Sequence, residues 1–271
     1  MSNILQSVIV DAGIHVAAAP LNPAFHTRTE PLSAESLLAE MAAAGVDRAV
    51  VVPPRLGENG FAAAAAARHP TRLRAVLLVD ENLPDAVGGF GTDATSPAVI
   101  GARVVIRGAQ GLGSAGLESI WSSLSDWARP VLVYAPGSIP LIGEVARRHP
   151  QLRIVVDHLG LRLQIRGAEL TAELALLLQL AELTNVAVKA SALPSHSAQP
   201  FPFRDLRRPL EAVIAAFGPR RVFWASDLTQ LDCSYPEAVS MMSELVSDPG
   251  ARRLVMGEAF ATWAGWLEGG G

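Results

Sequence analysis

The sequence predicts an α/β protein, a single-domain (β/α)8 TIM barrel occupying residues 1–271. Three observations predict it. Short apolar runs rich in β-branched residues alternate with longer Ala/Leu-rich segments of helical period along the whole chain. The runs number eight, and eight strand-helix units in roughly 250 residues are the content of a closed parallel barrel. Stretches such as Ala49-Val50-Val51-Val52 and Ile154-Val155-Val156 are continuously apolar, as strands covered on both faces must be.

In chain order the strand-like runs are residues 4–10, 48–53, 73–79, 99–106, 130–134, 152–156, 186–190 and 221–225. Helical segments follow at 34–44, 61–69, 117–128, 139–149, 170–183, 206–217 and 236–247, with a weaker candidate at 81–87. Ser33 or Ser36 caps the first helix and Gly45 ends it, while His149-Pro150 stops a later one. A doubly wound open sheet is the alternative, but no strand leads into a G-x-G-x-x-G turn. Trp121, Trp127, Trp263 and Trp266 stand at helical spacing and read as core or interface.

Composition narrows the function. Half the residues are apolar, yet no run approaches the ~20 residues of a membrane span. The start has no basic region followed by an apolar segment and cleavage site, so the expectation is a soluble, cytoplasmic protein. Net charge is −4, and no basic block is interleaved with aromatics, which argues against nucleic acid. The single cysteine, Cys233, belongs to no metal or redox motif and reads as structural. The partner expected is a small molecule, with a homo-oligomer left open.

Catalytic groups of such barrels sit where strands end. There the chain places Asp11 and His15, Arg103 and Arg107, Tyr134, Asp157 and His158, Lys189 and Ser191, and Ser226 with Asp227. So many ionisable side chains on apolar strands need a reason, because buried charge is costly unless paired. Lys189 pairs most simply with Asp157 or Asp227; a Schiff base is the less favoured reading. Arg103 and Arg107, four apart on a strand, share a face, which makes them a fork for a carboxylate if that face is the barrel interior. Arg162 and Arg166 stand in the loop after the sixth run, and the proline- and serine-rich loop 193–203 is a lid candidate, its His196 either a substrate contact or surface. A second loop is read at 88–96.

The pieces Val10-Asp11-Ala12-Gly13-Ile14-His15, Val156-Asp157-His158-Leu159-Gly160, Val188-Lys189-Ala190-Ser191 and Trp224-Ala225-Ser226-Asp227, in this order and spacing, resemble the amidohydrolase-related family of the amidohydrolase superfamily. That branch includes lactonases acting on pyrone dicarboxylates and sugar lactones, and several decarboxylases. Its metal-dependent members take ligands from two histidines of strand one, a histidine ending strand five and the aspartate ending strand eight. Here the first is Gly13 and the strand-five position is Tyr134 or Ala135, so His15 and Asp227 remain, with His158 as a possible third zinc ligand. The favoured reading has no cofactor. The relatives that take a pyrone dicarboxylate have an arginine where this chain has Leu161, which argues against that particular substrate.

The resemblance implies hydrolysis of a small carboxylated lactone or cyclic ester. Asp227 would act as general base, His15 and His158 would polarise the carbonyl as donors, and Arg103, Arg107, Tyr134, Lys189 and Ser191 would bind substrate. Lactone isomerisation or decarboxylation on the same scaffold is one alternative. A non-catalytic binding or assembly subunit that has lost the metal site is the other.

Overall fold

The computed structural model describes residues 8–83, 85–106 and 115–266. Eight parallel strands follow one another around a sheet in sequence order. They are β1 (Val10–His15), β2 (Arg48–Val52), β3 (Leu73–Leu78), β4 (Val99–Val105), β5 (Val131–Tyr134), β6 (Ile154–Val156), β7 (Val186–Ser191) and β8 (Val222–Ala225). Helices α1 (Ala34–Ala44), α2 (Asn59–Arg68), α3 (Ala115–Trp127), α4 (Ile139–Arg148), α5 (Gly167–Leu178), α6 (Arg207–Phe217) and α7 (Tyr235–Leu245) are interspersed. The fold is the (β/α)8 barrel that the alternation of runs predicts.

Two apolar layers hold it. Inward residues such as Val50, Val76, Leu132, Val155 and Phe223 fill the barrel, and Phe260 from a helical segment near the C-terminus and Trp266 just past it join that cluster. Outward residues of the same strands, Val51, Leu77, Val133 and Trp224 among them, pack with Leu37, Trp121, Ile142 and Met241 of the surrounding helices. Because both strand faces are covered, each strand reads as a continuous apolar run in the sequence. The start of α1 is set by Ser33, whose hydroxyl accepts the Ser36 N–H at 3.1 Å. Its end is set by Gly45 at φ 72°, a left-handed stop that glycine adopts without strain.

The first strand departs from expectation. It runs through Asp11, Gly13 and His15 instead of ending before them, and its register against β2 shifts between Asp11 and Ile14. The extra residue of this bulge re-aims the chain: Ile14 joins the outer layer with Val51, and His15 lines a cleft inside the barrel mouth. The Asp11 carboxylate fixes the bulge. Its Oδ1 accepts the Gly13 N–H at 3.1 Å and the Ser226 N–H at 3.0 Å, and its Oδ2 accepts the Tyr235 hydroxyl at 2.8 Å. A backbone bond from the Asp227 N–H to the Gly13 carbonyl, 3.2 Å, completes the join between β1 and β8.

Two further differences lie on connections. The weak helical pattern at 81–87 gives no helix among its described residues, and helical turns occur instead at Gly88–Thr95, where Asp85 Oδ1 accepts the Gly88 N–H at 2.9 Å and Gly91 breaks the run. After α7, residues to which the sequence reading assigned no element form α8 (Pro249–Arg253) and α9 (Ala259–Ala264), joined through Leu254–Glu258. No helix among the described residues is long and apolar enough to cross a membrane.

Removing the Asp11 carboxylate strands two backbone N–H groups and the Tyr235 hydroxyl in a buried join. Asp11→Ala is expected to lower unfolding stability by about 3 kcal/mol, and Tyr235→Phe by about 1 kcal/mol. Equilibrium denaturation checks this, and an Asp11→Ala loss below about 0.5 kcal/mol would remove the clamp from the account.

Candidate active site

Three strand ends bring Asp227, His15 and His158 together. His15 Nε2 stands 3.8 Å from Asp227 Oδ1, and His158 Nε2 stands 3.7 Å from Asp227 Oδ2. All three are buried; His15 and His158 line the cleft described below, and Asp227 sits between them. Asp227 Oδ2 has no hydrogen-bond partner among the described residues. His158, Ala192 and Asp227 adopt left-handed backbone at φ 51°, 51° and 52° just past β6, β7 and β8. Such conformations cost of order 1 kcal/mol or more each in residues with a Cβ and cluster at functional sites.

The two imidazoles differ in polarity. His15 Nδ1 lies 3.0 Å from the Val52 carbonyl, which only accepts, so Nδ1 carries the proton and Nε2 offers a lone pair. The Ser191 hydroxyl accepts the His158 backbone N–H at 3.2 Å and sits 2.9 Å from His158 Nδ1. With no other acceptor for the buried hydroxyl among the described residues, its proton goes to Nδ1, which leaves Nε2 of His158 as an N–H donor. Burial pushes the His15 pKa down to about 3, with Arg103 and His26 adding to it, against the Val52 hydrogen bond. Burial also lowers His158, to about 4, although Asp227 and Asp157 oppose the shift. Both rings are neutral near pH 7. His15, expected as a donor to the substrate carbonyl, is therefore an acceptor.

Beneath them lies a buried charge cluster. Lys189, the chain's one lysine, has Nζ 2.7 Å from Asp157 Oδ1, an ion pair by distance though poorly aligned for a hydrogen bond. Arg103 donates through Nε to Asp157 Oδ2 at 2.8 Å. Burial resists ionisation of Asp157, but Lys189 and Arg103 outweigh it and hold the carboxyl well below the usual carboxylate range. The Asp157 carboxylate is thus the ion-pair partner of Lys189, the first of the two carboxylates the sequence offered it.

The cleft above has a volume of about 1000 Å3 and is lined by His15, His26, Arg55, Arg103, Tyr134 and His158 beside apolar Leu21, Leu56, Leu78, Val105, Ile106 and Leu163. Tyr134 packs edge-on against His158 with ring centres 5.2 Å apart, and its ring lies 5.8 Å from the Arg103 guanidinium. Lys189 and Ser191, expected to bind substrate, sit behind this wall with their polar ends on Asp157 and His158. Arg107 lies outside the described residues. Arg162 is tied to Glu169 and Glu173, and Arg166 to the Ser195 carbonyl, so neither lines the cleft. His196 is neither substrate contact nor surface: it is buried, with Nδ1 3.1 Å from the Ile165 carbonyl. His26 and Arg55 escaped sequence reasoning, because loop residues carry no strand-end pattern.

The residues do not match the ligand set of the metal-dependent relatives. A Cβ at Gly13 would stand 2.8 Å from Lys189 Nζ, so a side chain there would require the ammonium to shift. Among the described residues no group of three or more His, Cys, Asp or Glu is arranged to hold a metal ion.

The amidohydrolase family model matches residues 10–266. The chain belongs to the amidohydrolase family. No curated protein matches it significantly. Among solved structures it is similar to a zinc-bound amidohydrolase from Burkholderia multivorans, with TM-score 0.82 and 19% identity over 95% of this chain and 99% of that one. It is also similar to a candidate 2-pyrone-4,6-dicarboxylic acid hydrolase from Acinetobacter baumannii with citric acid bound, with TM-score 0.75 and 16% identity over 95% and 99% of the two chains. A third is 5-carboxyvanillate decarboxylase from Sphingomonas paucimobilis, with TM-score 0.67 and 16% identity over 95% and 99%. At these identities the likeness establishes a shared fold, and the family match places this amidohydrolase in an enzyme superfamily.

Neutral buried histidines make the fold acid-sensitive. Their folded pKa values lie below the ordinary 6.5, so the stability they contribute is present above about pH 6.5 and is lost as pH falls toward 4 and 3. Asp11, raised to about 6 mainly by burial, acts in the opposite sense, losing stability as pH climbs from 3.8 to 6. Ring-nitrogen NMR should find His15 and His158 unprotonated throughout pH 5–8, with Nδ1–H on His15 and Nε2–H on His158. A midpoint near 6.5 for either ring would contradict the assignment.

Proposed function

We propose that this amidohydrolase opens a small carboxylate-bearing lactone or cyclic ester by hydrolysis, without a metal ion in the reaction path. The observation that carries this reading is one carboxylate, Asp227, set within 4 Å of an imidazole lone pair and an imidazole N–H. Asp227 and His15 Nε2 are both acceptors and together hold a water by its two protons. His158 Nε2–H is a donor and faces the developing oxyanion. As water oxygen bonds to the carbonyl carbon, its proton passes to Asp227 and the carbonyl electron pair moves to the oxygen held by His158. Collapse breaks the ring C–O bond, and the leaving ring oxygen takes the proton from Asp227, giving a hydroxy acid.

The substrate's carboxylate falls to the basic wall of the cleft. Arg103 spends Nε on Asp157, which fixes its plane and leaves the terminal nitrogens for a ligand. Arg55, whose Nη2 donates to the Pro20 carbonyl at 2.9 Å and whose Nη1 lies 3.4 Å from Glu58 Oε1, adds a second guanidinium to that wall. The buried ammonium of Lys189 adds fixed positive potential below, in a protein that offers Gly13 where metal-dependent relatives have a histidine.

The test is a panel of γ- and δ-lactones with and without carboxylates, including 2-pyrone-4,6-dicarboxylate, assayed by acid release with chelated and zinc-supplemented enzyme. Opening of a carboxylated member at equal rates in both preparations is expected. Asp227→Asn should lower kcat about 10^3-fold and His158→Ala about 10^2-fold. Zinc-dependent turnover would overturn the metal-free mechanism, CO2 release from a hydroxybenzoic acid in place of ring opening would make the enzyme a decarboxylase, and an inert panel would favour a binding subunit.

A further inference from the structure

The loop after β1 carries an imidazole that the mechanism above does not use. His26 lines the same cleft as His15, His158 and Arg103. Its ring meets His15 edge-on, with centres 5.3 Å apart and planes at 90°. It is half-buried and within electrostatic reach of Asp227.

The loop is stitched to the segment that follows Asp227. The Thr27 and Arg28 N–H groups donate to the Thr229 carbonyl at 3.0 and 3.1 Å, and the Thr27 hydroxyl lies 3.2 Å from that carbonyl and 3.0 Å from that of Leu231. The ring itself is oriented by Thr229, whose hydroxyl oxygen lies 2.9 Å from His26 Nδ1. Thr229 is fully buried, and among the described residues its hydroxyl has no other hydrogen-bond partner. A buried hydroxyl proton needs an acceptor, so it goes to Nδ1 and the ring proton sits on Nε2.

We propose that His26 is a substrate-contacting residue, its Nε2–H donating to an oxygen of the bound carboxylated ligand beside Asp227. This rests on the carboxylated-lactone reading. It gives the site two N–H donors, His26 and His158, and two acceptors, His15 and Asp227. The second donor comes from a loop, in a chain whose first strand has Gly13.

The test uses citrate and 2-pyrone-4,6-dicarboxylate as probes, with the full chain carrying labelled histidine rings. Six histidines give six ring systems, and His26→Gln identifies the His26 signal by its absence. The His26 Nε2 signal should move in step with His158 as either acid saturates the protein, while His69, which does not line the cleft, stays fixed. His26→Ala should weaken the acid about 10-fold, Thr229→Val about 3-fold, and His26→Gln should restore part of the loss through its side-chain amide N–H. Circular dichroism melts confirm that each variant is folded.

Movement of His158 with a silent His26, or His26→Ala binding within twofold of wild type, would overturn the role of His26 and leave the proposed function standing. Failure of both acids to perturb any cleft histidine would sink the carboxylate reading and this inference together.

Discussion

The carboxylate of Asp11 is the constraint on which the rest of this molecule depends. A parallel barrel closes only where its last strand meets its first, and here that join relies on a side chain as well as on the backbone. One oxygen of Asp11 takes an N–H from each side, Gly13 of β1 and Ser226 beyond β8, while the other takes the Tyr235 hydroxyl of α7. The same bonds fix the bulge that turns His15 toward the cleft and the strand end from which Asp227 projects. Asp11 lies in the barrel wall, and its influence on chemistry is positional.

Above that join the site works by arranged polarity. The Asp157 and Lys189 pair is buried, with Arg103 joining it from the cleft wall, so its fields are weakly screened, and its cations help keep the neighbouring imidazoles neutral. A neutral imidazole has one donor and one acceptor nitrogen, and the partner of Nδ1 decides which faces the ligand. A backbone carbonyl makes His15 an acceptor; the Ser191 hydroxyl makes His158 a donor. Two histidines to which the sequence reading gave the same donor role thereby become distinct parts.

Much of this was legible in the sequence because it depends on periodicity and on strand ends. The alternation of β-branched runs with Ala/Leu segments marks the strands that form, and Asp227, His15 and His158 stand out as polar residues where apolar runs stop. The first run misleads because Asp11 and Gly13 look like the end of a strand; only the Ser226 and Tyr235 donors, more than 200 residues away, make a buried carboxylate tolerable within one. Lys189 was recognisable as needing a carboxylate, and the choice of Asp157 over Asp227 required coordinates. His196 could not be placed from its loop, since burial depends on what packs over it.

The sequence by itself determined the barrel, its strand order, and the groups that gather at its mouth, because hydrophobic period and strand direction are local properties that a closed parallel sheet converts into position. The tertiary structure alone decided which nitrogen of each histidine faces the carboxylate, that the Lys189 ammonium stands beside Gly13, and that His26 joins the cleft. Those outcomes turn on single hydrogen bonds between residues distant in the chain. A hydrogen bond is directional over a few tenths of an ångström, and no pattern along the sequence encodes that.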